Sequence, residues 1–323
     1  MFKKVIGSND IRHGSSVSST DQLGNSEIVP AIVSLNDVHH SGVIGERMKL
    51  SWYYTGDGIA IPATVSGLQL WFSAEDLDLS NNASVTSWSP KIDNTGLGID
   101  LEDQGHADPT YDIGTMAVPS VDAGTNAHSR SIGMRSTDED WGQFICGIGE
   151  SNMCVFSLRC DDVTDNSIFS CIGGGASSVG SSNFRGFDFR IDGSKVDARR
   201  KDTDNSVRQT SGITIANNTD YVVVMVLEAD EDKLHLWIDG ASHAQYYNSY
   251  VDLGGKSAKP ANGNGNLLGI NANNTSWPPP IWMSDWLWYY QTDDYTNADV
   301  NTVGAWLANR IGTTWTDVTD LAS

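Results

Sequence analysis

Apolar and polar positions alternate in short runs along most of this chain, and a helical spacing replaces them only near its C-terminal end. The runs read as strands over Leu68–Phe72, Ser84–Trp88, Asn152–Cys160, Ser167–Ile172, Asn183–Ile191, Ser206–Ile215, Tyr221–Ala229, Lys233–Ile238 and Asn266–Ile270. Asp192-Gly193 and Asp239-Gly240 are hairpin turns, because glycine reaches positive φ without a Cβ clash. Many short strands with one terminal helix predict an all-β fold, an antiparallel two-sheet jelly-roll sandwich closed by a C-terminal helix.

The closing unit is the sharpest part of the pattern. Strict alternation over Ile281–Tyr290 places Ile281, Met283, Leu287 and Tyr289 on one face and Trp282, Trp286, Trp288 and Tyr290 on the other. Both faces are apolar, so the strand is expected to be covered on both sides. Thr296 is the N-cap of the helix that follows, with Asp299 completing a capping box. Val300, Val303, Leu307 and Ile311 form its apolar stripe, and Gly312 stops it.

Residues 1–64 differ from the rest. Met1–Gln22 lacks apolar periodicity, and only Ile28–Leu35 and Met48–Tyr54 read as strands. This small β-rich N-terminal segment buries little by itself and is expected to dock on a partner. Residues 65–323 form the sandwich domain.

Composition narrows the classes. A net charge of −21 repels a phosphate backbone, which argues against nucleic-acid binding. No stretch is long and apolar enough to span a bilayer, so no membrane insertion is expected. Lys3 and Lys4 are followed by too short an apolar run for a secretory signal. Cys146, Cys154, Cys160 and Cys171 lack metal-site spacing, and Cys154 and Cys160 share a strand face too far apart to bridge. They read as buried free thiols.

Gly67-Leu68-Gln69-Leu70-Trp71-Phe72-Ser73-Ala74-Glu75-Asp76-Leu77, with Val85-Thr86-Ser87-Trp88 after it, resembles the opening of laminin-G/pentraxin-like domains of the concanavalin A-like lectin/glucanase superfamily. Tyr221–Val226 with Leu234–Gly240 is similar to that family's central hairpin, and Leu267-Leu268-Gly269 to its next strand. Trp282–Gln291 and the helix resemble its closing unit, with Asp285 where the family often has Glu. The resemblance spans residues 65–315 and implies a jelly roll without fixing a function. A β-rich leading segment ahead of such a sandwich is similar in build to phage virion accessory proteins.

The glucanase branch carries E-x-D-x-x-E, whose two glutamates do retaining hydrolysis. The nearest match is Glu228-Ala229-Asp230-Glu231-Asp232-Lys233, where Lys233 stands in place of the second glutamate. Its acids read as solvated turn residues. No histidine pair has metal-ligand spacing and no G-x-S-x-G elbow is present. The family's calcium sites imply Asp93, Asn94, Asp161, Asp162, Asp293 and Asp294 as candidate Ca2+ ligands, against a solvated reading of the same loops. Six of the 11 Trp lie between Trp277 and Trp315. Trp277, in front of Pro278-Pro279-Pro280, cannot join a ladder and is the candidate ligand contact.

These readings lead to one expectation: a non-enzymatic virion structural protein, a capsid decoration protein or head fibre at the virion surface. Residues 1–64 contact a capsid or other virion protein, the lectin-like domain faces outward, and a homo-oligomer, taken as a trimer, is expected. The alternative is a carbohydrate-binding lectin or tail-fibre adhesin with a glycan partner, and a glycoside hydrolase ranks behind both.

Overall fold

The computed structural model describes residues 62–103, 109–123, 134–136, 150–161, 163, 169–170, 186–192, 194–201, 207–228, 233–246, 268–270 and 281–321. The chain divides into two units, Met1–Ile61 and Pro62–Ser323, and every described residue belongs to the second. The expected strands Ile28–Leu35 and Met48–Tyr54 therefore lie outside the described residues.

Strands are numbered in chain order. The first layer is a ten-stranded sheet whose ladders are all antiparallel. One side runs β16 (Ser242–Tyr246), β15 (Lys233–Ile238), β14 (Thr219–Glu228), β8 (Ser151–Cys160). Beyond β8 the sheet forks. At the Cys160 end it continues through β18 (Ile281–Met283) to β6 (Ser120–Asp122) and β5 (Thr110–Asp112). At the Ser151 end it continues through β19 (Asp285–Gln291) to β1 (Leu68–Ser73) and β3 (Ile92–Asp93).

The second layer is divided. One part joins β9 (Phe169–Ser170), β10 (Gly186–Asp192), β11 (Lys195–Lys201), β12 (Val207–Gln209) and β13 (Ile213–Thr214). The other joins β2 (Ser87–Trp88), β4 (Leu101–Asp103), β7 (Met134–Ser136) and β17 (Leu268–Ile270). The core lies between the layers: Phe156 meets Phe189 at 5.1 Å and Phe72 meets Trp88 at 5.7 Å between ring centroids. The fold is thus the all-β sandwich with one C-terminal helix, and among the described residues its second layer is two sheets.

The fork depends on one inserted residue. Ile281 pairs with Cys160 and Trp282 with Arg159, yet Trp286 pairs with Phe156. Met283, Ser284 and Asp285 therefore face only Leu158 and Ser157, which is a β-bulge. The Ser157 hydroxyl fills it, accepting from the Ser284 N–H at 2.7 Å and the Asp285 N–H at 3.2 Å, with Ser284 Oγ 2.7 Å away. The bulge reverses the alternation, which corrects the faces expected for this strand. Ile281, Met283, Trp286 and Trp288 all join the inner core, with Tyr290 packed against it. Trp282, Leu287 and Tyr289 turn the other way, so Trp282 does not share a face with Trp286 and Trp288.

That second face is covered by α1 (Asn297–Ile311). Thr296 accepts from the Asp299 N–H and Asp299 accepts from the Thr296 N–H, so the capping box is formed. Gly312, at φ 77°, ends the helix in the left-handed region. Val300, Val303, Leu307 and Ile311 are all buried, each worth about 1.5–3 kcal/mol of burial. Trp306 meets Trp71 edge-on at 5.2 Å. Among the described residues no helix is long and apolar enough to cross a membrane.

Candidate functional site

Two polar clusters lie on the helix-covered face of the large sheet, apart from the Arg190–Asp197 ion pair of β10 and β11. The first is built by the bulge, which turns Asp285 toward α1. Asp285 is wholly buried; Oδ1 accepts from Trp71 Nε1 at 3.1 Å and Oδ2 from Arg310 Nε at 2.7 Å. Arg310, in the last turn of α1, also donates to Glu75 Oε2 at 2.9 Å and to Ser73 Oγ at 3.2 Å. Burial works to lower the Arg310 value, but the Asp285 charge and hydrogen bond, then Glu75, carry it above the ordinary one. Lys91 lies 4.4 Å over the Trp71 ring and 3.7 Å from Asp76, and burial brings it down to about 7 against the pull of Asp76 and Asp285. With Asp285 bonded on both oxygens, this cluster clamps the helix to the sheet.

The second cluster lies on β14, β15 and β16. His235 and Trp237 alternate onto one face of β15, and Trp237 pairs with His243 across the ladder. The three rings lie nearly parallel, with centroids 4.8–5.4 Å apart. His235 Nδ1 is 3.1 Å from His243 Nε2. At one end Glu228 Oε1 lies 3.7 Å from His235 Nε2, and at the other Asp320 Oδ2 lies 3.3 Å from His243 Nδ1. Lys233, paired across the ladder with Glu228, approaches its other oxygen at 3.6 Å. Burial first, and then His235, lower the His243 value, while Asp320 raises it.

Asp320 belongs to a strap, residues 312–321, that folds back along α1. Asn301 and Asn297, one helical turn apart, hold it. Asn301 Oδ1 accepts from Trp315 Nε1 at 3.1 Å and from the Val318 N–H at 2.7 Å, and its Nδ2 donates to the Val318 carbonyl. Asn297 holds both the N–H and the carbonyl of Leu321 in the same way. The Thr316 N–H donates to the Asp239 carbonyl at 2.9 Å, tying the strap to the β15–β16 turn. Two glycines make room for it. A Cβ on Gly304 would collide with the Trp315 ring, and one on Gly240 with the Thr316 carbonyl.

The residues singled out from sequence are scattered. Trp277 and Asp162 lie outside the described residues. Asp161 follows the last residue of β8, whereas Asp294 accepts from Ser151 Oγ at its first, 2.8 Å away. A ten-residue strand, about 30 Å, separates those two acids. Asp293 is exposed beside Asp294. Asp93 spends its carboxylate on its own loop, accepting from Thr95, Gly98 and Ile99. Burial raises its value, but these donors outweigh that and hold it below the usual carboxylate range. Asn94 donates to the Leu68 carbonyl at 2.8 Å. Among the described residues no three His, Cys, Asp or Glu converge where they could hold a metal ion.

One sequence expectation is corrected here. Glu228 is not a solvated turn acid: it ends β14, only 2% exposed, opposite Lys233. Lys233 is its ion-pair partner. His235, Arg310 and the role of Asp285 were missed, although the His-x-Trp alternation in β15 and the basic last turn of α1 were signals for two of them.

Fold and site together define a sandwich of antiparallel strands with its helix, strap and the Asp285 and His235 clusters on one side. Solved structures of this class include toxin binding domains. The chain is similar to a botulinum neurotoxin serotype D ligand binding domain in complex with N-acetylneuraminic acid, with 11% identity and a TM-score of 0.50 over 75% of this chain and 52% of that one. It is similar to the binding domain of Paraclostridial Mosquitocidal Protein 1, with 10% identity and a TM-score of 0.51 over 75% of this chain and 53% of the other. A structure titled for cell entry of botulinum neurotoxin type C through two ganglioside molecules matches at 14% identity and a TM-score of 0.50, over 76% and 51%. The chain spans about half the length of the solved structures it matches. At such identities the likeness establishes the fold. No protein-family model matches the chain, and no curated protein matches it.

Proposed function

We propose that the sandwich is a non-enzymatic binding module for cell-surface glycans. The observation that carries this is the shared fold with a domain solved in complex with N-acetylneuraminic acid. The hydrolase reading loses support from Glu228, which is buried against Lys233 and His235. Trp277, followed in sequence by Pro278-Pro279-Pro280, is the ligand contact we propose, since a sugar ring stacks on an aromatic side chain. Applied to a glycan array, the full chain is expected to bind a defined subset of glycans and Trp277→Ala to lose them. An array with no bound glycan at micromolar protein would sink the proposal.

A second reading concerns setting. We infer display on a particle, with residues 1–64 as the dock, supported by the chain's division near that boundary. The full chain should then co-sediment with virions and a chain lacking residues 1–61 should not. Calcium at Asp161–Asp162 or Asp293–Asp294 belongs with the glycan reading, and a lower unfolding midpoint in EDTA is its expected sign.

A further inference from the structure

We propose that the His235–His243 pair binds one shared proton, and that this proton fastens the C-terminal strap to the sheet. The four ring nitrogens differ in what they face. The inner two face each other at 3.1 Å, which needs one N–H between them. The outer two each face a carboxylate, Glu228 at 3.7 Å and Asp320 at 3.3 Å, and each position favours an N–H. Three hydrogens meet all these demands, and three is one more than two neutral imidazoles carry.

With both rings neutral, one outer nitrogen must turn a bare lone pair on a carboxylate. With both rings charged, the inner contact becomes N–H against N–H and has to open. The singly protonated pair meets all of these demands at once. His235 is fully buried, and its Nε2 has no hydrogen-bond partner other than the longer approach to Glu228. The Trp237 ring stacks 5.1 Å from it, a face that favours a cation. His243 stays neutral in this arrangement, in keeping with the lowering of its value by burial and by His235.

Among the described residues, β14 presents Glu228, β15 Lys233, the β15–β16 turn Asp239 and the strap Asp320, while α1 holds the strap through the neutral Asn297 and Asn301. Two carboxylates then face Lys233 and one imidazolium. Above the titration of the pair the cluster carries a net negative charge and the Asp320 contact weakens. Below it, the second proton opens the histidine contact itself. Strap docking should therefore be tightest at intermediate pH.

The test is made on the full chain, between about pH 4.5 and 9. Side-chain nitrogen NMR of the two histidines is combined with amide hydrogen exchange over Thr313–Leu321, corrected for the intrinsic rate. The pair is expected to take up one proton well before the second. Strap protection should peak between the two steps and fall roughly tenfold on either side, while the β8 amides hold steady. Asp320→Asn, at a half-exposed side chain, should lower the peak and flatten the profile. Strap protection that ignores pH, an unchanged profile in Asp320→Asn, or a change shared equally by the β8 amides would each overturn the proposal.

Discussion

Asp239 offers a direct test of the electrostatics beneath the strap. It sits in the β15–β16 turn at φ 52°, where its Oδ1 accepts from the Val222 N–H at 2.8 Å. Burial raises its pKa from 3.8 to about 6, against that hydrogen bond. The folded-state value is the higher one, so the folded state holds the proton more tightly. Stability tied to this group is then full below about pH 4 and is lost as pH rises through 6. A shift of about two units corresponds to about 3 kcal/mol, and partial solvent access reduces that to roughly 1–2 kcal/mol. Asp239→Asn keeps the acceptor for Val222 and tolerates the left-handed backbone. Chemical unfolding followed by tryptophan fluorescence should show the variant equal to the parent near pH 4 and more stable by roughly 1–2 kcal/mol at pH 7. A difference that is the same at both pH values, or a less stable variant at pH 7, would refute burial of the carboxylate as the cause.

Other substitutions probe the remaining contacts. Arg310→Met leaves Asp285 buried without its cation and should cost about 3–5 kcal/mol in urea unfolding, much of it recovered by Asp285→Leu in the same chain. Ser157→Ala strips the bulge of its acceptor and should cost about 1–3 kcal/mol in the same assay. Gly304→Ala drives a Cβ into the Trp315 ring and should destabilise by about 1–3 kcal/mol, with exchange protection lost over residues 313–321 before the sheet is affected.

The sequence was most legible where one element answers to local rules. Lys233–Ile238 matches its strand residue for residue, and α1 begins at its capping box and ends at Gly312. Legibility failed where a distant residue decides. Nothing within Ile281–Tyr290 announces the bulge, because the hydroxyl that fills it comes from Ser157, 127 positions away. Lys195–Lys201 was not read as a strand at all. Its Lys, Asp and Arg residues mask Val196 and Ala198, the two that reach the core. Ser206–Ile215 was read as one strand, but Ser211-Gly212 interrupts it and gives β12 and β13. The histidine cluster was hidden for a related reason. His235 and His243 lie on adjacent strands with Asp320 far along the chain, and spacing in sequence carries no trace of that meeting.

The position of β19 has a consequence for how the protein is made. It lies between β1 and β8, so the last strand of the chain fills the middle of the sheet. Until it arrives, β1 and β8 each carry an open edge, with their apolar side chains already exposed. Local pairing cannot settle this sheet in the order in which it is synthesised. Closure waits on contacts that join residues more than two hundred positions apart, such as Trp71 with Asp285. The domain should therefore fold slowly, and only after residues 281–311 have left the ribosome. A nascent chain arrested before them would be prone to aggregate through the gap that β19 is meant to fill.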